Sequence, residues 1–453
     1  MSGKSSLSHK FCSMLSLKLP IIQAPMAGVV SLQLAANVSS SGALGSIPAS
    51  GYDLTKSTSS LVDALSTFKT LLPKTNLEPG SSQEGCQLPA NMNFFCHDIV
   101  QPPNKTQIEN WWSLFIDSYV ETFLSTNPGS EKSRLSEIKS KGLLNDVQFS
   151  NGNVSFKEFE IATEKSRHLK IANCEDPAPI DELISYLNHH PELTPKVMSF
   201  HFGIPKSSTI NKLHDLGVTI LVTATSTSEA RLAIENNVDG LVLQGYQAGG
   251  HRGNFLVKQE DDDNLSTMDL FKQVKELLDS EEIVRGKESV YLIPAGGIIN
   301  GDDIKEYLKL GASAVQMGTA FLGCPEKLKS GSKYAATNSV AKIVSEKIEK
   351  GANFQLPSTT MTPLVSGKPA RTIVTPFIGT LQKNTKSPGT DLPEYGYRYK
   401  AFKGLNTALE SAQLDETDIG FYLCGKRYGE IEVGKSAKEI IEKLGEELKG
   451  WEA

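Results

Sequence analysis

Eight short apolar segments constrain the fold of this 453-residue chain more than any other feature of its sequence. Each ends in Gly, Pro or polar residues, and helical patterns follow. Near-continuous apolar segments are typical of buried parallel strands, because helices cover one face of such a strand and a packed interior covers the other. The predicted strands are Pro20 to Ala24, Ala43 to Ile47, Ala90 to Phe95, Val197 to Phe202, Thr219 to Ala224, Gly240 to Gly245, Tyr291 to Ala295 and Ala314 to Thr319.

Helix signals between the later segments give the chain a repeating βα pattern. Ser226 to Asn237 follows a Thr/Ser cap, and Asp302 to Leu310 begins just after Gly301. Eight such units close more naturally into a barrel than into an open doubly wound sheet, which would show fewer strands and a GxGxxG turn after the first of them. No such turn follows the first predicted strand. We therefore predict an α/β fold, a (β/α)8 TIM barrel.

Uneven spacing between the predicted strands indicates structure beyond the barrel. The interval 101–195 separates the third strand from the fourth and contains amphipathic stretches at Gln107 to Leu124 and Ile180 to Leu187. Because amphipathic periodicity predicts helices, we expect a mainly helical insertion between strands 3 and 4.

A second departure from the barrel pattern begins at about Lys327. The strand signal gives way there to helical segments at Ser339 to Glu349 and Ser436 to Leu448, separated by a long span that begins rich in Pro and Gly. We predict a barrel domain over 1–326, which includes the insertion, and a mainly helical C-terminal extension over 327–453 that packs on the barrel as a lid.

Charge and cysteine usage exclude several classes of protein. A formal net charge of −6 gives no general attraction to nucleic acid or to an anionic membrane. No stretch reaches the roughly 20 apolar residues of a membrane span, and the first dozen residues lack the apolar region of a secretory signal. We predict a cytoplasmic protein, with a mitochondrial transit peptide as the less favoured alternative. The run Asp261 to Asp263 is predicted to be a solvated loop.

The cysteines indicate a reducing compartment. They lie far apart and form no CxxC pair or regular framework, which favours free thiols over disulfides. The six are Cys12, Cys86, Cys96, Cys174, Cys324 and Cys424.

Glycines follow the seventh and eighth predicted strands, where barrels of this type commonly bind phosphate. AGGI at 295–298 leads into the helix at Asp302, so bare backbone amides and a helix N-terminus could hold an anion. QMGT at 316–319 adds a glycine that permits close approach and a hydroxyl donor. The two turns predict a phosphate site, although the same glycines could instead only shape tight turns.

A polar loop and two inward amides predict a site for a flat ligand. Strand six leads into QGYQAGGHRG at 244–253, which is too rich in glycine and polar residues for ordinary packing. Alternation turns Gln244 inward, where its amide could hydrogen-bond a heterocycle, and Asn93 could do the same from strand three. Either amide could instead cap a loop. QAPMAG at 23–28 could lie against such a ring, or only end a buried strand.

His201 is the predicted general base. Alternation separates it from the flanking phenylalanines, so we expect it to face the barrel mouth. An unperturbed imidazole titrates near 6.5, which suits removal of an acidic carbon-bound proton or hydrogen bonding to an anion. The alternative is a structural histidine. His251 and His97 are weaker candidates, for which we expect roles in loop structure.

Together these motifs resemble class I nitronate monooxygenases of the fungal type, once called 2-nitropropane dioxygenases. SGKPAR at 366–371 resembles the small C-terminal motif of that family. The long segment between strands three and four and the length of the tail depart from its pattern, which leaves the substrate open, because loops shape the pocket. Four blocks carry the resemblance, in order: PIIQAPMAGV at 20–29, SFHFGIP at 199–205, DGLVLQGYQAGGHRGNF at 239–255 and PAGGIINGDDIKEYLKLGASAVQMGTAFL at 294–322.

The resemblance implies flavin mononucleotide (FMN) as the cofactor, His201 as the catalytic residue, and no metal. The implied reaction is oxidation of an alkyl nitronate, such as propionate 3-nitronate, by O2 to a carbonyl compound and nitrite. The expected enzyme is a monomer or homodimer that binds neither nucleic acid nor membrane. By position, the residues implied to contact FMN are Met26, Asn93, Gln244, Gly249, Gly297, Gln316, Met317, Gly318 and Thr319.

Two alternatives stay open for a barrel with these turns. One is an FMN-dependent reductase that takes hydride from NAD(P)H and passes it to a quinone or an enoyl thioester. The other is a sugar-phosphate isomerase or lyase that uses the phosphate turns without a redox cofactor.

Overall fold

A computed structural model gives the architecture of the chain as two compact units, which we describe separately. Unit 1 comprises the described residues within 1–99, 170–329 and 425–453, and unit 2 those within 100–169 and 330–424. The described residues are 6–52, 57–73, 87–96, 103–126, 149–150, 153–154, 177–280, 290–327, 336–351, 354–385, 391–411 and 418–450.

Eight of the strands form one parallel sheet in unit 1. Its strands neighbour one another in the order β1, β11, β10, β8, β7, β6, β3, β2. A parallel bridge between Ile22 and Leu44 then joins the first strand to the segment that leads into the last, so the sheet closes into a barrel. The described strands are β1 (Ile21–Gln23), β2 (Gly45–Pro48), β3 (Leu88–Phe95), β4 (Phe149–Ser150), β5 (Asn153–Val154), β6 (Pro195–His201), β7 (Thr219–Ala224), β8 (Gly240–Gln244), β9 (Gly250–His251), β10 (Tyr291–Ala295), β11 (Val315–Met317), β12 (Thr359–Thr362) and β13 (Ala370–Ile373).

Helices separate most of the barrel strands, as a βα repeat requires. None of the described helices is both long and apolar enough to cross a bilayer. The described α-helices are α1 (Leu7–Leu15), α2 (Leu32–Ser40), α3 (Ser59–Leu71), α4 (Lys105–Thr126), α5 (Pro177–His189), α6 (Ser207–Asp215), α7 (Thr227–Glu235), α8 (Thr267–Asp279), α9 (Gly301–Lys309), α10 (Ala336–Lys350), α11 (Pro376–Asn384), α12 (Tyr397–Ser411) and α13 (Ala437–Glu447).

The barrel predicted from the sequence is confirmed. All eight predicted strands are present, each within two residues of its predicted bounds. Their outward residues pack against the helices in one large apolar cluster, and a second, smaller cluster fills the interior. Burial on both faces explains why these strands were near-continuous apolar segments in the sequence.

Helix starts follow the capping signals in the sequence. Asn300 and Asp303 form a reciprocal capping box at α9, and Ser436 and Glu439 form another at α13. Such a box satisfies two backbone amides that have no partner within the helix, and an N-cap residue contributes about 1 kcal/mol.

The last described segment, 425–450, belongs to unit 1 together with the barrel strands. Ala437 N donates to Glu326 Oε1 at 3.0 Å, and the same oxygen accepts from Asn37 Nδ2 at 2.9 Å. The apolar face of α13 is buried in the core cluster of the barrel. The amphipathic pattern predicted this helix, and the division of the chain at 326–327 stays a prediction.

Unit 2 has its own aromatic core. Phe115 of the insertion helix α4 lies 5.9 Å from Phe377 of α11 and 6.0 Å from Phe402 of α12, measured between ring centroids. The insertion helix and the segment 365–421 therefore share one core. Strands β4 and β5 pair as a short antiparallel ladder, as do β12 and β13. That the extension over 327–453 acts as a lid stays a prediction.

Burial protects two of the free cysteines in unit 1. It raises the pKa of Cys12 to about 11 and that of Cys324 to about 12. A raised pKa keeps a thiol protonated to higher pH, so the thiolate fraction of Cys12 at pH 8 is about one in a thousand. Cys96 and Cys424 are buried thiols that form no disulfide among the described residues, while Cys86 and Cys174 lie outside those residues.

We expect iodoacetamide at pH 8 to alkylate Cys12 and Cys324 at least ~100-fold more slowly in the folded protein than in urea, because the thiolate is the reactive form. Peptide mass spectrometry over a time course measures both rates, with the urea-unfolded chain as the control. Equal rates at Cys324 before and after unfolding would contradict the burial of this thiol.

Candidate active site

The inside of the barrel changes from apolar to polar along the strands. Its amino-terminal part holds aliphatic side chains together with Phe11 and Leu15 of α1. Because side chains alternate along a strand, the residue two positions further on faces the same interior. In this fold the reactive groups lie at the carboxyl ends of the strands. The inward positions nearest those ends are mostly polar: Ser46, Asn93, Ser199, Thr223, Gln244 and Gln316.

Two asparagines face the interior from β3. Asn93 Nδ2 donates to Ser199 Oγ at 2.9 Å, and Asn91 Nδ2 donates to Ser46 Oγ at 2.9 Å. Asn91 is fully buried, and its Oδ1 has no hydrogen-bond partner among the described residues. An unpaired buried acceptor costs about 1–3 kcal/mol, so this oxygen is suited to an N–H or O–H donor from a bound molecule.

His201 is the last residue of β6 and lies beside the polar interior. Its side chain is partly exposed, whereas Phe200 and Phe202 are buried, as alternation predicted. The chain turns at Phe202, whose φ of 71° is costly for a bulky residue and ends the strand directly after the imidazole. A Cβ atom on Gly253 would lie 2.6 Å from His201 Cε1, so the glycine loop touches the ring.

The Gln244 amide holds that glycine loop in place. Its Nε2 donates to His251 O at 2.9 Å, and its Oε1 accepts from Gly253 N at 2.8 Å. Of the two interpretations of this amide, these contacts favour the loop cap. His251 itself contributes its backbone carbonyl to the loop, while His97 lies outside the described residues.

A buried ion pair anchors the loop, and the prediction that Asp261 to Asp263 is merely solvated is wrong for Asp262. The Arg252 side chain is 1% exposed and the Asp262 side chain 5%. Arg252 Nε and Nη2 donate to the two carboxylate oxygens at 2.7 and 2.8 Å. Burial alone would raise the pKa of Asp262, but hydrogen bonds from Arg252 and the Asn264 amide lower it. Removing one partner of such a pair costs about 3–5 kcal/mol.

Glu229 of α7 is a fully buried carboxylate that the sequence analysis did not select. Its Oε2 accepts from Thr225 N at 2.7 Å and its Oε1 from Phe255 N at 2.6 Å. The spacing from Ser226 to Glu229 is that of a capping box, and Ser226 Oγ does accept from Glu229 N. The carboxylate, however, binds Thr225 and the glycine loop, a partner that local spacing cannot indicate.

The glycine turns after β8, β10 and β11 lie side by side at the same end of the barrel. A Cβ atom on Gly296 would lie 2.9 Å from Ala248 N, and one on Gly297 would lie 3.2 Å from Gln247 Cγ. Thr319 Oγ1 accepts from Gly425 N at 2.9 Å. Ala295 also pairs with Gln316, so the two turns that predicted a phosphate site follow neighbouring strands and are adjacent.

The N-terminus of α9, which was predicted to help hold an anion, hydrogen-bonds carboxylates of the chain. Gly301 N donates to Glu447 Oε2 at 2.6 Å, and Ile299 N donates to Asp303 Oδ2 at 2.8 Å. Arg427 Nη1 also binds Asp303, at 2.7 Å. The glycine turns themselves stay the predicted phosphate site.

Comparison with known proteins identifies the family to which this barrel belongs. The family model described as nitronate monooxygenase matches residues 170–447. The chain belongs to the nitronate monooxygenase family. A Saccharomyces cerevisiae protein named "Putative nitronate monooxygenase" is 36% identical over 98% of this chain and 94% of its own length. A nitronate monooxygenase of Pseudomonas aeruginosa is 29% identical over 89% of each chain. Membership of this family makes the protein an oxidoreductase.

Solved structures with the same fold include enzymes with two different names. Nitroalkane oxidase from Streptomyces ansochromogenes aligns with a TM-score of 0.62 and 23% identity over 95% of this chain and 96% of its own. FabK from Thermotoga maritima aligns with a TM-score of 0.54 and 20% identity over 99% of this chain and 97% of its own. At these identities the similarity concerns the fold alone.

The residues that the nitronate monooxygenase pattern singles out fall into two adjoining groups. His201, Asn93 and Gln244 belong to the polar interior, while Gly249, Gly297 and Thr319 belong to the glycine turns. Met26 joins the second group, because a Cβ atom on Gly318 would lie 3.4 Å from Met26 Sδ. Gln316 is partly exposed at the end of β11. Met317 differs, since its side chain is buried in the outer core, which leaves only its backbone to a ligand.

Proposed function

We propose that this chain is an FMN-dependent nitronate monooxygenase, which oxidises alkyl nitronates such as propionate 3-nitronate with O2 to a carbonyl compound and nitrite. The observation that carries the proposal is the placement of His201. The chain belongs to the nitronate monooxygenase family. The His201 imidazole lies at the polar end of the barrel and contacts Gly253 in the loop 244–253, beside the glycine turns.

The residues present fit a flavin nucleotide. Gly296 and Gly297 have φ values of 115° and 74°, conformations that favour glycine and leave the backbone bare for a phosphate group. The inward amide of Asn93 and the unpaired Asn91 Oδ1 match the hydrogen-bonding edge of a heterocycle. We assign the phosphate to the turns at 296–297 and 318–319, and the ring to Met26, Asn93 and the end of β8.

FMN, when bound, supplies the redox chemistry by accepting an electron from the nitronate. The chain supplies orientation and hydrogen bonds. We assign His201 two roles that depend on the substrate. With an anionic nitronate it donates a hydrogen bond to a nitronate oxygen, and with a neutral nitroalkane it first accepts the proton on the carbon beside the nitro group.

The proposal is tested by nitrite release in air. We expect purified protein loaded with FMN to produce nitrite from propionate 3-nitronate, and protein stripped of flavin to produce none. Anaerobic mixing separates the reductase alternative, since we expect nitronate but not NADH to bleach the flavin absorbance. Rapid bleaching by NADH without nitrite release in air would overturn the proposal, as would a colourless protein that takes up no flavin.

A further inference from the structure

We propose that Glu229 and Arg252 are positioning residues for the candidate base, which act by fixing the loop 251–257 so that Gly253 stands against the His201 imidazole. This inference rests on the proposed function and deepens it, since it names two buried side chains that orient the base. Glu229 bonds Thr225 and the loop, and Arg252 bonds Asp262 and the main chain of neighbouring strand ends. Both act through the loop.

Glu229 joins the loop to the end of β7. One carboxylate oxygen accepts from Thr225 N at 2.7 Å and from Thr225 Oγ1 at 2.8 Å. The other accepts from Phe255 N at 2.6 Å and from Leu256 N at 3.2 Å. All four donors point at oxygens, so the site requires an acceptor on both sides. A Gln side chain has only one acceptor atom and would set its amide hydrogens against one pair of donors.

Arg252 fastens the other end of the same loop. Besides its two bonds to Asp262, Nη1 donates to Gln244 O at 2.5 Å and Nη2 donates to Thr225 O at 3.4 Å. The guanidinium therefore ties the loop to the ends of both β7 and β8. A planar group with several fixed donors is required for this arrangement, and a lysine ammonium cannot reproduce it.

The loop packs directly against the imidazole, and no space is left between them. A Cβ atom on Gly253 would lie 2.6 Å from His201 Cε1, 2.7 Å from Thr223 Cγ2 and 3.0 Å from His201 Nδ1. Glycine is thus the residue that lets the loop approach this closely. Any displacement of the loop changes the surface on which the ring rests, and with it the direction of both ring nitrogens.

The test compares E229Q and R252K with two matched controls on α7, E235Q and R231K. Glu235 and Arg231 are exposed, so the controls make the same chemical changes outside the loop contacts. Activity is measured per bound flavin with two substrates, neutral nitroethane and preformed ethyl nitronate. Only the neutral substrate requires proton removal. We expect E229Q and R252K to lower kcat/KM for nitroethane about 10- to 100-fold more than for ethyl nitronate, because a displaced base affects only that step.

A second readout does not depend on activity. With histidine labelled with 13C at Cε1, the His201 resonance, assigned by its loss in H201N, reports the surroundings of the ring. We expect this resonance to shift or broaden in E229Q and R252K and to stay unchanged in the two controls. These spectra also serve if one variant yields little folded protein, because the other variant alone can decide the question.

The outcomes distinguish this inference from the proposed function. Equal losses on both substrates, or no loss, together with an unmoved His201 resonance, would overturn the positioning role even if the wild-type protein is a nitronate monooxygenase. If the wild-type protein releases no nitrite, the proposed function fails, and the His201 resonance still decides whether Glu229 and Arg252 position the ring.

Discussion

Replacing His201 by Asn is expected to lower kcat/KM for neutral nitroethane by about 10²–10⁴-fold, the usual contribution of a general base, while FMN stays bound. Asn has a similar reach and can donate a hydrogen bond, but it cannot accept a carbon-bound proton. Turnover of preformed ethyl nitronate should therefore fall by less than about tenfold, which corresponds to the loss of one hydrogen bond. Steady-state nitrite release with each substrate measures both values.

The control for this prediction is His251→Asn. His251 contributes its backbone carbonyl to the Gln244 amide, a contact that the substitution keeps. We expect the two substrates to respond equally in this variant. Unchanged turnover of nitroethane by H201N at full flavin content would eliminate the role of His201 as base.

Gly296→Ala is expected to weaken FMN binding by about 10- to 100-fold, because two costs combine at this position. Its φ of 115° lies in a region that side chains rarely adopt, and the added Cβ would lie 2.9 Å from both the Cβ and the N atom of Ala248. The turn would have to move, and we assign that turn to the FMN phosphate. Quenching of FMN fluorescence on titration with flavin-free protein gives the Kd.

Gly250→Ala is the matched control for that substitution. Gly250 also has a positive φ, 76°, but nothing lies within 4 Å of the Cβ that it would acquire. The cost there is backbone strain of about 1 kcal/mol without a clash. We expect a small loss of thermal stability and an FMN Kd within a few-fold of the wild type. An unchanged FMN Kd in a folded G296A protein would show that the phosphate lies elsewhere.

The barrel was predictable because burial on both faces leaves a local signature. A strand such as β7, Thr219–Ala224, must be apolar along its whole length, whichever strands lie beside it. Capping residues such as Asn300 are equally local, since their partners are three residues away. Alternation also placed Gln244 and His201 on the inward face correctly.

The interactions of those inward residues were not predictable from the same signals. The sequence left open whether the Gln244 amide binds a ring or caps a loop, and in the structure it bonds the loop, because Gly253 presents an amide to it at 2.8 Å. Asp262 was grouped with two neighbouring aspartates as solvated, although a fully buried guanidinium faces it. The three aspartates look alike in the sequence. Only the fold shows which of them pairs with Arg252.

By itself the sequence determined the eight strands, the glycine turns that follow them, and the alternation that sends His201 to one face, because each of these depends on neighbours within a few residues. Only the tertiary structure determined which groups the buried carboxylates bind. Glu447, which occupies the N-terminus of α9 at Gly301, lies 146 residues away along the chain. Glu229 reaches the loop at Phe255 in the same way. Hydrogen bonding acts over about 3 Å in space, and no pattern in the chain encodes distances between segments that only folding brings together.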